Sequence, residues 1–372
     1  VRKEILFIIE NLRGGGAEKV LLDLLRRFDY THYHVSLLVA YPEGVYKNDI
    51  PKEVELIFLY KKNHTFCRKA FRYYKRYGGF SYMLRYQLQK RIKNSYDVIV
   101  SFLEGRALLL HSLIRDKGGM NITWVHSDLS TYHWTMAAFP SLSAEKKCYA
   151  TMDKIVFVSH QAMNSFSNMF ALSVPATCIY NIIDTKHIQA LAAKEEISYP
   201  CFTVTTMGTL NRVKAFEKLV YVAKRFSDAG YSIHFQIIGE GDKEEQLKKL
   251  CHDLKVQAQV HFLGFMNNPY PYLKSSDMYV STSLSEGFSL VIGEAMGLGV
   301  PVAATRTAGA TELLDEGRCG VLTEHDEEDI YKGIKMLVDD ERLRSEYAEK
   351  ALRRSEIFAV DKIMQQIYGL FN

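Results

Sequence analysis

No run of about 18 consecutive apolar residues occurs in the 372-residue chain, which argues against a membrane-spanning helix. The opening residues, Val1-Arg2-Lys3-Glu4-Ile5-Leu6-Phe7-Ile8-Ile9, enter an apolar strand without a signal-peptide cleavage pattern, so a cytoplasmic protein is expected. Six cysteines (Cys67, Cys148, Cys178, Cys201, Cys251 and Cys319) include no C-x-x-C pair and no histidine at metal spacing. Reduced packing thiols are therefore expected, with no disulfide framework and no thiolate metal site. No D-x-D triad stands beside a strand in a nucleotide-binding position, and no metal is expected on that ground. The first strand is not followed by G-x-G-x-x-G, and no acidic residue closes the second strand, so a nicotinamide cofactor loses ground. No other cofactor is indicated.

Acidic residues are also missing from one long stretch. Between Lys61 and Lys93 the chain carries eleven lysines and arginines and no aspartate or glutamate, although the whole chain has 47 basic and 43 acidic residues. Phe66, Phe71, Tyr73, Tyr74, Tyr77, Phe80, Tyr82 and Tyr86 are interleaved with those charges. Cations mixed with amphipathic rings suit a surface that lies on anionic lipid. The competing reading has the rings facing a core and the charges simply solvated. Nucleic acid is not expected as a partner, because no recognisable nucleic-acid module accompanies the patch.

What is present is an alternation of short apolar strands and amphipathic helices, the pattern of doubly wound parallel sheets. Strands are predicted at 5–9, 34–39, 55–59, 98–102, 121–125, 154–158 and 177–180. The pattern restarts with 202–207, 234–238, 260–263, 278–280 and 302–304. Two Rossmann-like domains are expected, at 1–183 and 184–353, with a helical tail at 354–372. Helical periodicity runs without a break from Ala351 to Phe371.

Chemistry-bearing residues cluster at predicted strand ends. In Ser285-Glu286-Gly287-Phe288-Ser289-Leu290-Val291-Ile292-Gly293-Glu294, a glycine turn separates a buried strand from the start of a helix. Unpaired N–H groups at such a start attract a diphosphate or a sugar oxygen. Glu286 in the turn can accept from sugar hydroxyls, and Glu294, two turns along, can hold a ribose diol. Arg212 and Lys214, in Gly208-Thr209-Leu210-Asn211-Arg212-Val213-Lys214, can neutralise phosphates; a solvated basic loop is the alternative. Gly239 and Phe265 also follow strands, and Phe265 or Met266 can pack on a base or in a core. Gly14-Gly15-Gly16, before the helical residues 17–28, either cradles an anion or joins strand to helix for steric reasons. His126 ends another strand, as a site residue or as a structural cap, and Asp128 is a candidate contact for an acceptor hydroxyl.

Taken in order with Gly299-Val300-Pro301 and Gly309-Ala310-Thr311-Glu312, these motifs resemble the retaining glycosyltransferases of family 4. The resemblance implies a GT-B fold, two Rossmann-like doubly wound domains facing across a cleft, with a terminal helix covering the first domain. It implies a nucleotide-sugar donor, most simply a UDP-sugar, held in the second domain by Gly208, Gly239, Phe265, Gly287, Phe288, Ser289, Leu290 and Glu294. Catalysis would fall to Glu286, Lys214, Arg212 and His126, and the Gly14-Gly15-Gly16 loop would line the acceptor and phosphate side. It implies no metal. Two departures stand out: Thr209 occupies the place of the family's arginine, so Arg212 is proposed to supply that guanidinium, and Ser289 and Val291 replace a glycine and a proline. The expected activity is hexose transfer to a lipid-linked or polysaccharide acceptor in surface glycan synthesis, at the inner face of the plasma membrane. A GT-B nucleotide-sugar epimerase and a non-catalytic sugar-nucleotide or glycan-binding module are the alternatives.

Overall fold

The computed structural model describes residues 2–60, 71–76 and 81–371. Of the basic aromatic stretch, residues 61–70 and 77–80 lie outside the described residues. The chain divides into two compact units, one of residues 1–182 with 363–372 and one of residues 183–362.

The first unit holds seven parallel strands: β1 (Lys3–Ile9), β2 (Tyr33–Val39), β3 (Glu55–Phe58), β4 (Tyr96–Ser101), β5 (Gly118–Val125), β6 (Lys154–Phe157) and β7 (Ala176–Cys178), in the order β3-β2-β1-β4-β5-β6-β7. Ile5 through Ile9 of β1 are fully buried, because the middle strand of a parallel sheet is covered on both faces. β1 pairs with β2 on one side and with β4 on the other, Phe7 lying opposite both Leu37 and Val100. The connections after β1 and β4 leave in opposite directions and open a crevice at the carboxyl edge.

The second unit repeats the plan with six parallel strands: β8 (Phe202–Met207), β9 (Ile233–Ile238), β10 (Val260–Gly264), β11 (Met278–Ser281), β12 (Val302–Thr305) and β13 (Val321–Thr323), in the order β10-β9-β8-β11-β12-β13. Its switch point lies between β8 and β11. β13 was not among the expected strands. Three residues between Gly320 and Glu324 are too short a run for periodicity to register. Helices present one apolar face, as in Phe216–Asp228, where Phe216, Leu219, Val220, Ala223 and Phe226 are buried at helical spacing.

The expected unbroken helix over 351–371 is in fact two. Glu341–Ser355 ends in a 3₁₀ turn at Glu356–Phe358, and a second helix spans Val360–Phe371. The interruption lets the Phe358 carbonyl accept from the amide of Ile183 at 2.9 Å, and its ring meets Phe288 edge-on at 5.5 Å. In the last helix Tyr368 stacks on Tyr33 at 5.3 Å, and its hydroxyl accepts from the Asp29 amide at 2.8 Å. Phe371 packs against Phe7 and Phe28. No helix among the described residues is long and apolar enough to cross a membrane.

In the described part of the basic aromatic stretch the rings divide. Phe71 and Tyr74 are buried, whereas Tyr73, Tyr82 and Tyr86 are exposed. The helix Ser81–Arg91 turns Leu84 and Leu88 inward. Its charges are partly engaged, Arg85 with Asp116 at 3.0 Å and Lys90 over the Tyr86 ring at 4.6 Å.

Candidate functional site

At the switch point of the second sheet, the loop leaving β8 meets the turn leaving β11. Asn211 shapes the first: its side-chain oxygen accepts from the amides of Val213 and Lys214 at 2.9 and 3.1 Å. The loop is then tied to β11's exit, since the Leu284 amide donates to the Val213 carbonyl at 2.8 Å and the Thr282 hydroxyl to the Lys214 carbonyl at 2.8 Å. Lys214 Nζ consequently forms an ion pair with Glu286 Oε1, and that same oxygen accepts from Ser283 Oγ at 2.9 Å. Both side chains are only partly exposed, 20% and 15%, so salt screens the pair less than it would a surface bridge. An ammonium has three donors, and the pair leaves donors available to a ligand.

Two glycines make room for this arrangement. Gly208 has φ +152°, and the Lys214 chain lies over it so closely that a Cβ would come within 3.1 Å of Cε. Gly239, φ +136°, faces the Gly208 carbonyl, where a Cβ would stand 2.0 Å from the oxygen. Both need glycine for backbone conformation and for close approach.

The turn at Glu286 feeds the helix Leu290–Gly297, which no side chain caps. Gly287 and Ser289 are buried and Leu290 is partly exposed. The Gly309 amide holds the turn by donating to the Glu286 carbonyl at 2.8 Å, and a Cβ at Gly309 would lie 2.8 Å from Phe288 Cα. Glu294 is buried and accepts from the Tyr270 hydroxyl at 3.0 Å. Tyr279 of β11 is buried, and its phenol is pushed well above its ordinary range, first by burial and then by the charges of Glu286 and Glu294.

Other expected residues are placed differently. The Phe288 ring packs edge-on against Phe358. Arg212 is exposed and is not brought to the Lys214–Glu286 pair by any contact in the described structure. Phe265 is 68% exposed, and its amide donates to Glu240 Oε1 at 3.3 Å.

In the first unit, Gly14 has φ +112° and Gly15 caps the helix Gly16–Leu25. The expected open cradle of amides is covered by this chain's own Glu18, whose carboxylate lies over Gly15, where a Cβ would be 2.1 Å from Oε2. Burial raises the Glu18 pKa, while the amides of Glu18 and Gly15 oppose that rise. His126 packs on Phe102 at 4.8 Å, and burial lowers its pKa to about 3, so the ring is neutral and Nε2 is buried without a partner. Its backbone amide donates to Glu104 at 2.9 Å. Glu104 is itself 1% exposed, with one oxygen unpartnered and a pKa raised by burial. Asp128 is turned to its own loop: it accepts from the Ser130 amide and hydroxyl and from the Thr131 hydroxyl.

Ser283, Tyr270, Asn211 and Glu104 escaped the sequence reading. Asn211, three residues before Lys214, and Ser283, three before Glu286, carry a local turn signal that could have found them. Tyr270 and Glu104 carry none.

The model of the group 1 glycosyl transferases matches residues 188–354, and that of glycosyltransferase family 4 matches residues 14–187. The N-acetylgalactosamine-N,N'-diacetylbacillosaminyl-diphospho-undecaprenol 4-alpha-N-acetylgalactosaminyltransferase of Campylobacter jejuni is 31% identical over 58% of this chain and 59% of its own length. An uncharacterized glycosyltransferase of Haemophilus influenzae is 25% identical over 99% of both chains. The crystal structure of Anabaena HepE in complex with UDP and glucose is 21% identical, with 99% of each chain covered and a TM-score of 0.77. That last likeness shows the fold: two Rossmann-like domains of GT-B type.

Proposed function

Because the chain belongs to the family 4 glycosyltransferases, we propose that it moves a hexose from a nucleotide sugar, a UDP-sugar, to a lipid-linked or polysaccharide acceptor with retention of anomeric configuration. The observation that carries this reading is the Lys214–Glu286 pair at the carboxyl edge between β8 and β11, beside an uncapped helix start. Ligands of open α/β sheets bind at such a point. Relatives support the reading: the Campylobacter jejuni enzyme is named for a diphospho-undecaprenol acceptor, and the Anabaena structure holds UDP and glucose.

In the reaction, the bond from the anomeric carbon to the donor diphosphate breaks and its electron pair leaves with the phosphate oxygen. The acceptor oxygen forms the new bond on the same face, and its proton passes to the departing diphosphate. Negative charge grows on the leaving group. Lys214 and the amides at Gly287 to Leu290 stabilise that charge, with Arg212 on the exposed loop as a further cation and no metal required. Glu286 binds hydroxyls of the transferred sugar, Glu294 the ribose. His126, neutral, offers its unpartnered Nε2 to the sugar rather than a charge. The protein works peripherally on the cytoplasmic membrane face, with Tyr82, Tyr86 and the neighbouring cations turned to lipid.

The test is slow release of nucleoside diphosphate from separate UDP- and GDP-sugars, with and without chelator. Release from one UDP-sugar that survives chelation is the expected result. Release only from a GDP-sugar, or only with divalent metal, would overturn the corresponding part of the reading.

A further inference from the structure

The first sheet has a recess at the same topological position as the Lys214–Glu286 pair has in the second. β1 and β4 pair side by side, and a cavity of about 340 Å³ opens where their outgoing connections part. Glu10 and Arg13 line it from the end of β1, Arg106 from beyond β4, and Phe71, Arg72 and Lys75 from the helical turn at 71–76. The size is at the small end of ligand pockets, which run from about 300 Å³ upward.

Its charge is unbalanced. Arg106 pairs with Glu10 and lies over the Phe71 ring at 5.2 Å, and Arg13 pairs with Glu43 at 3.0 Å. Those contacts hold two guanidinium groups in place and engage Glu10 and Glu43; a third carboxylate, Glu18, interacts with Glu10 from over Gly15 and does not line the recess. Arg72 and Lys75, three residues apart and hence on one helical face, have no carboxylate partner among the described residues. Four cations thus surround one carboxylate, itself already engaged. The back wall is apolar, formed by the buried rings of Tyr41 and Phe71.

We propose that this recess binds the phosphates of the acceptor, a diphosphate ester that carries the growing glycan on a lipid. The inference rests on the transferase reading above and specifies its acceptor class. A diphosphate diester bears one negative charge on each phosphate, which Arg72 and Lys75 match, while the fixed guanidinium groups add charge-assisted hydrogen bonds. The apolar wall accepts the first carbons of the lipid.

The test uses farnesyl diphosphate as a soluble probe in calorimetric titrations of the full chain, with inorganic phosphate and farnesol as controls. Three proteins are compared: the unaltered chain, Arg72→Ala/Lys75→Ala, and Arg85→Ala/Lys90→Ala, which removes neighbouring cations outside the recess. Farnesyl diphosphate binding is expected to weaken by about tenfold or more in the first variant only. Equal weakening in both variants would reduce the recess to diffuse surface charge and overturn the proposal, as would no weakening in either. Inorganic phosphate binding as tightly as farnesyl diphosphate would refute a lipid-linked ligand. If Arg72→Ala/Lys75→Ala loses binding to phosphatidylglycerol vesicles yet keeps farnesyl diphosphate, the cations contact headgroups and the proposal fails. UDP is titrated separately: its failure to bind any of the three proteins counts against the donor reading, whatever farnesyl diphosphate does.

Discussion

Lys214 and Glu286, 72 residues apart in sequence, neutralise each other across the ends of two adjacent strands. The proposed donor site is therefore electrostatically satisfied before a nucleotide arrives. A phosphate that draws Lys214 towards itself leaves Glu286 held by Ser283 and available to a sugar hydroxyl. Replacing Lys214 by alanine should lower kcat by roughly 10²-fold, as loss of one leaving-group stabiliser does, with a smaller effect on KM. Steady-state kinetics on the donor that shows slow hydrolysis would check this, and an unchanged kcat would remove Lys214 from the chemistry.

Glu294 and Tyr270 allow binding to be separated from support. Glu294→Ala should weaken UDP binding by about tenfold, equivalent to roughly 1.4 kcal/mol. Tyr270→Phe removes only the hydroxyl that donates to Glu294 at 3.0 Å and should cost less than Glu294→Ala. Titration calorimetry with UDP decides it; equal losses would make Glu294 a structural acceptor for Tyr270.

Gly208→Ala and Gly239→Ala should fail in different ways. At Gly208 the added carbon meets a flexible lysine chain and the cost is chiefly the backbone strain at φ +152°, so Gly208→Ala should destabilise the second unit less than Gly239→Ala and leave it folded while turnover falls. At Gly239 it meets a backbone carbonyl at 2.0 Å, which cannot move aside cheaply. Gly239→Ala should lower the calorimetric unfolding temperature of the second unit by several degrees, for a cost of a few kcal/mol.

Acid should weaken the first unit through His111. This fully buried ring lies 3.0 Å from both Ser101 Oγ and Asn121 Oδ1, and burial lowers its pKa from the ordinary 6.5 to about 4. The unfolded chain binds more protons than the folded one between those values. Stability is therefore fully present above about pH 6.5 and is lost as pH falls towards 4, by at most about 3 kcal/mol. His126 acts with the same sign. Both tryptophans of the chain, Trp124 and Trp134, belong to the first unit, so their fluorescence follows its urea unfolding alone. His111→Gln should flatten the pH dependence of the midpoint; an equally steep profile would clear His111.

If the exposed face of the Ser81–Arg91 helix rests on lipid, Tyr82→Ser/Tyr86→Ser should reduce co-sedimentation with phosphatidylglycerol vesicles. Leu84 and Leu88 hold the helix to the core, so the fold should not change. Unchanged sedimentation would leave this helix merely solvated.

Much of the fold is legible in the chain because apolar strands and helix faces have local periods. The strands from β1 to β12 show in this way. β13 does not, since Val321-Leu322-Thr323 offers too few residues for a period, and the turn at Glu356–Phe358 hides inside continuing helical spacing. Site residues follow the same division. Glu286 and Lys214 stand out because they sit in turns with glycine nearby, and the structure brings them into contact. Tyr270 and Glu104 act through partners distant in sequence, and no local pattern marks them. The Gly14-Gly15-Gly16 loop is visible as a turn, but the carboxylate of Glu18 folding back over it depends on side-chain conformation.

The last helix carries a consequence for synthesis. Residues 183–362 are contiguous, so every strand of the second unit exists once Lys362 has been made. The first unit must wait for Tyr368 and Phe371 to reach Tyr33, Phe7 and Phe28, and the bond from Asp29 to Tyr368 spans 339 positions. The domain begun first is thus completed last. Until then the nascent chain shows an aromatic surface on the first unit, and chaperone contact during translation should concentrate there.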